Sequence, residues 1–145
     1  MSTDPMARKI EEMIGAYFEA CRAQDANAIS GCFAPGAVHY LPHRPPLVGG
    51  ATIGNAIVHD LRNRGGAYFI DKVIADVEQC AAGVEWSRTL QQSNSILRGF
   101  EYCAFDPVSM LIREIRGYYA AAPHQDVARH ELVGFDYAGH GYRTL

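Results

Sequence analysis

Arg98-Gly-Phe-Glu-Tyr-Cys-Ala-Phe105, Asp106-Pro-Val-Ser109 and Met110-Leu-Ile-Arg-Glu-Ile-Arg-Gly-Tyr-Tyr119 form the continuous stretch that decides the fold class. Its two outer runs are rich in aromatic and branched residues, which suit a pleated, half-buried surface, and the middle run is turn chemistry. The reading is a hairpin. Alternation along the first strand places Gly99, Glu101 and Cys103 on one face, with Phe100 and Tyr102 opposite. On the second strand Ile115, Gly117 and Tyr119 share a face, and Glu114, Arg116 and Tyr118 point the other way. A carboxylate set between apolar neighbours, as Glu101 is, predicts the wall of a small-molecule pocket rather than an ordinary solvated strand.

Working back from the hairpin, two further strands are expected over about 67–80 and 84–91, with Gly83 and the Gln92-Ser-Asn94 stretch as breaks. Before them the period changes. Asp4 and Pro5 signal a helix start, and Ile10, Met13, Ile14, Tyr17, Phe18 and Cys21 follow at helical spacing. A short second helix is expected from Asp25 to Phe33, stopped by Pro35-Gly36, and then a short strand, Ala37-Val-His-Tyr-Leu41. After the loop Pro42-His-Arg-Pro-Pro46, a third helix carries Ile53, Ile57, Val58 and Leu61 on one face, bounded by Gly49-Gly50 and Gly65-Gly66. Helices first and consecutive strands afterwards give an α+β layout, with an antiparallel sheet covered on one face.

At 145 residues the chain is expected to be one domain, with a core that needs neither metal nor disulfide. A net charge of −3 offers no electrostatic footprint for nucleic acid, and no apolar run is long enough to span a bilayer. Cys21, Cys32, Cys80 and Cys103 form no C-x-x-C pair, so reduced thiols in a cytoplasmic protein are expected. His39-x-x-x-His43 has metal-ligand spacing, but Leu41-Pro42 breaks any helix there and no third ligand is evident, so no metal is expected.

Phe33-Ala-Pro-Gly-Ala-Val, Pro46-Leu-Val-Gly-Gly and Ile112-Arg-Glu-Ile-Arg-Gly-Tyr-Tyr, in this order of elements, resemble the nuclear transport factor two-like superfamily. Within it the resemblance is to SnoaL-like proteins and, more distantly, to ketosteroid isomerase. It implies a conical half-barrel: a curved, mainly antiparallel sheet with three helices enclosing a cavity, commonly in a homodimer. It also implies a cofactor-independent enzyme for a small, partly apolar ligand. The reaction would be isomerisation, cyclisation, dehydration or hydrolysis. The same fold also hosts non-catalytic binding or dimerisation modules. By the resemblance Tyr17 matches an oxyanion-donating tyrosine, and Glu101 matches an aspartic acid kept neutral in the isomerase by its apolar site. The isomerase's base position falls on Leu41. Gly117 stands where many SnoaL-like chains have aspartate.

With both family base positions empty, His39 and His43 are the candidate bases, because imidazole titrates near neutrality. The expected catalytic set is therefore Tyr17, Glu101, His39 and His43. Phe18, Trp86, Arg88 and Tyr119 are expected to bind substrate; Arg88 would either clamp a carboxylate or neutralise Glu101. The cone is assigned to residues 1–122, and residues 123–145 to an aromatic, glycine-rich extension on the cavity rim or a partner subunit, anchored by Phe135 and Tyr137. The convex face, with Phe100, Tyr102, Glu114, Arg116 and Tyr118, is the expected dimer surface.

Overall fold

The computed structural model describes residues 2–91, 95–119 and 132–141. The expected break at 92–94, Ala120 at the end of the last predicted strand, and His124, His130 and Tyr142 lie outside the described residues.

Helix α1 (Pro5–Arg22) starts where the sequence places it. The Asp4 carboxylate accepts from the backbone N–H groups of Met6 (2.7 Å) and Ala7 (3.1 Å), satisfying two of the donors that a helix start leaves orphaned. Its buried stripe is Ala7, Ile10, Ile14, Tyr17, Phe18 and Cys21, a helical period facing the sheet. Helix α2 (Ala26–Gly31) is capped by Asp25 and ends earlier than expected. Pro35-Gly36 does not stop it but belongs to the next strand, β1 (Phe33–Tyr40). The register of β1 against its neighbour slips between Phe33 and Val38, so Pro35 and Gly36 (φ 73°) sit in a bulge, where a missing N–H and a positive φ are tolerated.

A two-residue strand, β2 (Leu47–Val48), pairs with β1 ahead of α3 (Gly50–Arg64). Helices α2 and α3 touch through glycine. A Cβ on Gly54 would lie 2.5 Å from the Ala26 carbonyl oxygen, closer than any side chain allows. Strands β3 (Tyr68–Asp76), β4 (Ala81–Leu90), β5 (Ser95–Phe105) and β6 (Ile112–Tyr119) complete a single sheet of order β2-β1-β6-β5-β4-β3. Only the β1–β6 pairing is parallel. The β5–β6 hairpin turns on Asp106, whose carboxylate accepts from the N–H groups of Val108 (3.0 Å) and Ser109 (2.7 Å).

The three helices lie over one face of this curved, mainly antiparallel sheet, giving the conical α+β half-barrel. Ile10, Ile14, Ile29, Ile53, Phe105, Ile112 and Ile115 are fully buried between the layers. Each such side chain contributes about 1.5–3 kcal/mol by leaving water, which offsets the cost of burying polar groups in the same interior.

The outer face differs from expectation. Arg116 is only 8% exposed, because Leu132, Phe135 and Tyr137 pack with Tyr40 and Tyr118 over β1 and β6. The Phe135 ring lies under the Arg116 guanidinium at 4.3 Å, and Pro42 forms an isolated antiparallel bridge with Leu132. That half of the convex surface is occupied by the chain's own segment. Phe69, Ile74, Ile96 and Phe100 remain exposed on β3 and β5.

Candidate functional site

The inner face of the sheet and the helices enclose a cavity of about 420 Å³. Strand alternation supplies one wall: Trp86 and Arg88 from β4, Leu97 and Glu101 from β5, Gly117 and Tyr119 from β6. His39 comes from β1, Tyr17, Phe18 and Cys21 from α1, and Ala56, Ile57, Asp60 and Arg64 from α3. The loop after β1 adds Leu41, Arg44, Pro45 and Pro46. His43 is absent from the lining; it sits half-buried in that loop with φ 56°.

Two ionisable side chains meet inside. His39 Nε2 and Glu101 Oε1 are 3.9 Å apart, with both side chains almost wholly buried. Gly117 faces Glu101 across the β5–β6 ladder, and a Cβ there would lie 3.7 Å from His39 Nε2 and 3.9 Å from Glu101 Cγ. The glycine leaves this pair open to the cavity. Among the described residues neither His39 nitrogen has a hydrogen-bond partner, and neither does Glu101 Oε2.

The spacing would permit an ion pair, yet burial drives both groups the opposite way. Loss of water pushes the Glu101 carboxyl up to about 7 and the His39 imidazole down to about 4. At that distance there is no hydrogen bond to offset the desolvation of two charges, so burial favours the neutral form of each group. Tyr17 is also held well above its ordinary value, first by burial, then by Cys21 and Glu101, and remains a phenol able to donate. Burial likewise keeps the Cys21 and Cys103 thiols protonated.

Arg88 does not neutralise Glu101. Its Nη1 donates to the Asp60 carboxylate and to the Tyr68 hydroxyl (3.2 Å), and its Nη2 donates to the Gly65 carbonyl (3.0 Å). Burial works against the Arg88 charge, but Tyr68 and Asp60 outweigh it and leave the guanidinium above its ordinary value. The sequence reading missed Asp60. Its signal was present in α3, where Ala56, Asp60 and Arg64 extend the inward stripe of Ile53 and Ile57 at helical spacing. Trp86 lies flat over Gly99: a Cβ on that glycine would fall 2.2 Å from Trp86 Cζ2. Among the described residues no group of three or more His, Cys, Asp or Glu side chains is placed to hold a metal ion. No described helix is long and apolar enough to cross a membrane.

No family model and no curated protein match the chain. A solved structure from Methylobium petroleophilum PM1, described as a protein of unknown function with a cystatin-like fold, is 36% identical, with TM-score 0.86 over 96% of this chain and 93% of that one. A nuclear transport factor two-like protein of unknown function from Mesorhizobium loti superposes with TM-score 0.68 at 14% identity, over 83% and 98% of the two chains. The epoxide hydrolase/cyclase-like enzyme SalBIII, described in pyran ring formation in the polyether salinomycin, superposes with TM-score 0.64 at 14% identity, over 78% and 92%. The chain has the nuclear transport factor two-like fold. The Methylobium protein is a member of the same family by identity, whereas the more distant structures share the fold alone; candidate polyketide cyclases are among them. In this chain the inner face of the cone presents Glu101 and His39 side by side, with Leu41 and Gly117 contributing no titratable group.

Proposed function

We propose that this protein is a cofactor-independent enzyme that moves protons on a small, partly apolar, oxygen-bearing compound, isomerising it or closing a ring. Glu101 is the acid and His39 the base. The observation that carries this reading is the buried pair: a carboxyl raised to about 7 and an imidazole lowered to about 4, 3.9 Å apart, without hydrogen-bond partners among the described residues at Glu101 Oε2 and both His39 nitrogens, and in the wall of one cavity. Environments that push neighbouring titratable groups in opposite directions are how one site holds an acid and a base together.

In the resting state His39 offers a free lone pair and Glu101 an O–H. His39 takes a proton from a C–H or O–H of the substrate. Glu101, with the Tyr17 hydroxyl as second donor, supplies a proton to the oxygen where negative charge develops. Turnover leaves an imidazolium beside a carboxylate. Burial favours the neutral form of each group, so passing the proton back from His39 to Glu101 resets the pair. Phe18, Trp86 and Tyr119 hold the apolar body and exclude water. Superfamily neighbours whose descriptions name cyclase chemistry support the reaction class.

Incubating the protein with enolisable ketones and epoxy alcohols in deuterated water tests this. Deuterium uptake or isomerisation is expected, lost in Glu101→Gln and in His39→Ala, with a rate maximum between about pH 4 and pH 7. Ligands that are bound by the protein yet never exchanged or altered would reduce it to a binding module.

A homodimer built on the exposed β3–β5 half of the convex face, through Phe69, Ile74, Ile96 and Phe100, fits the same reading and the family's habit. The four cysteines are unpaired, which supports a reducing compartment such as the cytoplasm.

A further inference from the structure

Taking the cavity as the reacting site, we propose that its substrate carries a carboxylate at the end remote from the transferred proton, held by Arg64 and Arg44. The lining contains three guanidinium groups, those of Arg44, Arg64 and Arg88, against two carboxyls, Asp60 and Glu101, and burial favours the neutral form of the second. This local excess of positive charge stands out in a chain whose net charge is −3.

The cations are not equivalent. Arg88 is 1% exposed, and its terminal nitrogens are bound to Asp60, Tyr68 and Gly65, so it anchors the wall. Arg64 reaches the same Asp60 from one turn along α3, at 3.6 Å, with its side chain about half exposed (47%). Exposed pairs of that spacing are weak, so Arg64 gives up this contact readily to a better-placed anion. Arg44, exposed in the loop after β1, makes no ion pair among the described residues. Guanidinium forks bind carboxylates in two parallel hydrogen bonds, and the apolar wall strengthens that attraction.

Two buried groups in the same wall also lack partners among the described residues. Trp86 Nε1 and Arg88 Nε are both N–H donors without acceptors, and a ligand bearing carboxylate oxygens supplies acceptors of that kind. The strand register sets the length. Val84 pairs with Glu101, and Arg88 pairs with Leu97, four residues further along β4. At 3.2–3.4 Å per residue the two poles are about 13 Å apart along the strand. A ring plus a short acidic side chain spans such a gap, with its oxygen at Glu101 and its carboxylate beside Arg64.

The test needs no turnover. Trp86 is the single tryptophan and lies in the cavity wall, so its fluorescence reports binding, with calorimetry as a check. The probes are 4-cyclohexylbutanoate, its primary amide, and the corresponding alkyl phosphate. The acid is expected to bind about tenfold or more tighter than the amide, given the worth of a charged hydrogen bond. That preference falls to near unity in the Arg44→Gln, Arg64→Gln double variant, whose substitutions are at exposed side chains, and weakens in roughly 0.5 M salt. Glu101→Gln, which ends proton transfer, keeps the preference, so loss of the catalytic reading and loss of this one are separate results. Equal affinity for acid and amide, failure of the wild type to bind either, a preference unchanged in the double variant, or tighter binding of the phosphate each overturn the proposal.

Discussion

Replacing Glu101 with glutamine tests the neutral pair directly, because the amide mimics the protonated acid in shape and carries no charge. The folded protein holds the carboxyl at about 7 against an ordinary 4.5, because burial penalises the ion. A raised folded pKa means that the contribution is fully present below about pH 4.5 and is lost as pH rises through about 7. At 1.36 kcal/mol per unit, the wild type loses about 3 kcal/mol across that window, and the glutamine variant loses none of it. The His39 contribution has the opposite sign. Its depressed pKa contributes stability above about pH 6.5 that is lost as pH falls through about 4, but it is common to both proteins and cancels in their difference. Tyr17, Cys21 and Cys103, the other groups close to Glu101, stay protonated throughout. Urea unfolding of the two proteins from about pH 4 to about pH 9 should therefore show the gap shifting by about 3 kcal/mol in favour of the variant, equivalent to roughly 6–12 °C in Tm for a domain of this size. A gap constant to within about 0.5 kcal/mol would show that Glu101 is ionised or solvated in the fold, and the acid–base reading would go with it.

Gly99→Val puts a side chain where Trp86 lies, 2.2 Å from the Cβ position, and should cost about 3 kcal/mol or more with a changed near-ultraviolet circular dichroism signal; an unperturbed spectrum would place Trp86 elsewhere. Asp60→Asn leaves Arg88 buried without its anion. Because Asp60 is a third exposed, the loss of stability in urea should be about 2–3 kcal/mol rather than the full cost of breaking a deeply buried pair. Gly117→Asp has room, since its Cβ meets its neighbours at 3.5–3.9 Å. The new carboxylate beside His39 should raise the imidazole pKa and move the acid limb of any pH–rate profile upward, and an unmoved His39 resonance in a proton NMR titration would count against the contact.

Much of the fold was legible because local chemistry and tertiary packing agree. Asp4-Pro5, Gly49-Gly50 and Gly65-Gly66 punctuate helices by the conformations they allow, and the β5–β6 hairpin announces itself through residue types and the Asp106 turn. The misreading at Pro35-Gly36 came from treating punctuation as termination. In β1 these residues occupy a bulge, where the partner strand, sixty and more residues away in the chain, decides whether a proline breaks the ladder. β2 escaped notice because two residues have no period. The occupied outer surface of β1 and β6 was also hidden: Arg116 alternates outward as expected, but what covers it comes from Phe135.

The site was legible in its parts and not in its pairings. Alternation put Glu101 and Arg88 on the same inner face, and two opposite charges on one face of adjacent strands invite a pairing. The register separates them: Glu101 stands opposite Val84, and Arg88 stands opposite Leu97. Arg88 instead meets Asp60, which approaches from the helical layer. That one partner changes the chemistry at the other end of the cavity. With Arg88 held by Asp60, no cation among the described residues stabilises the Glu101 carboxylate, so burial sets its ionisation and raises it to about 7. His39, buried 3.9 Å away, is pressed toward neutrality for the same reason. Had the arginine reached Glu101, the carboxyl would be ionised and useless as an acid. On the proposed reading, the α3 carboxylate is thus what leaves Glu101 and His39 free to act as acid and base.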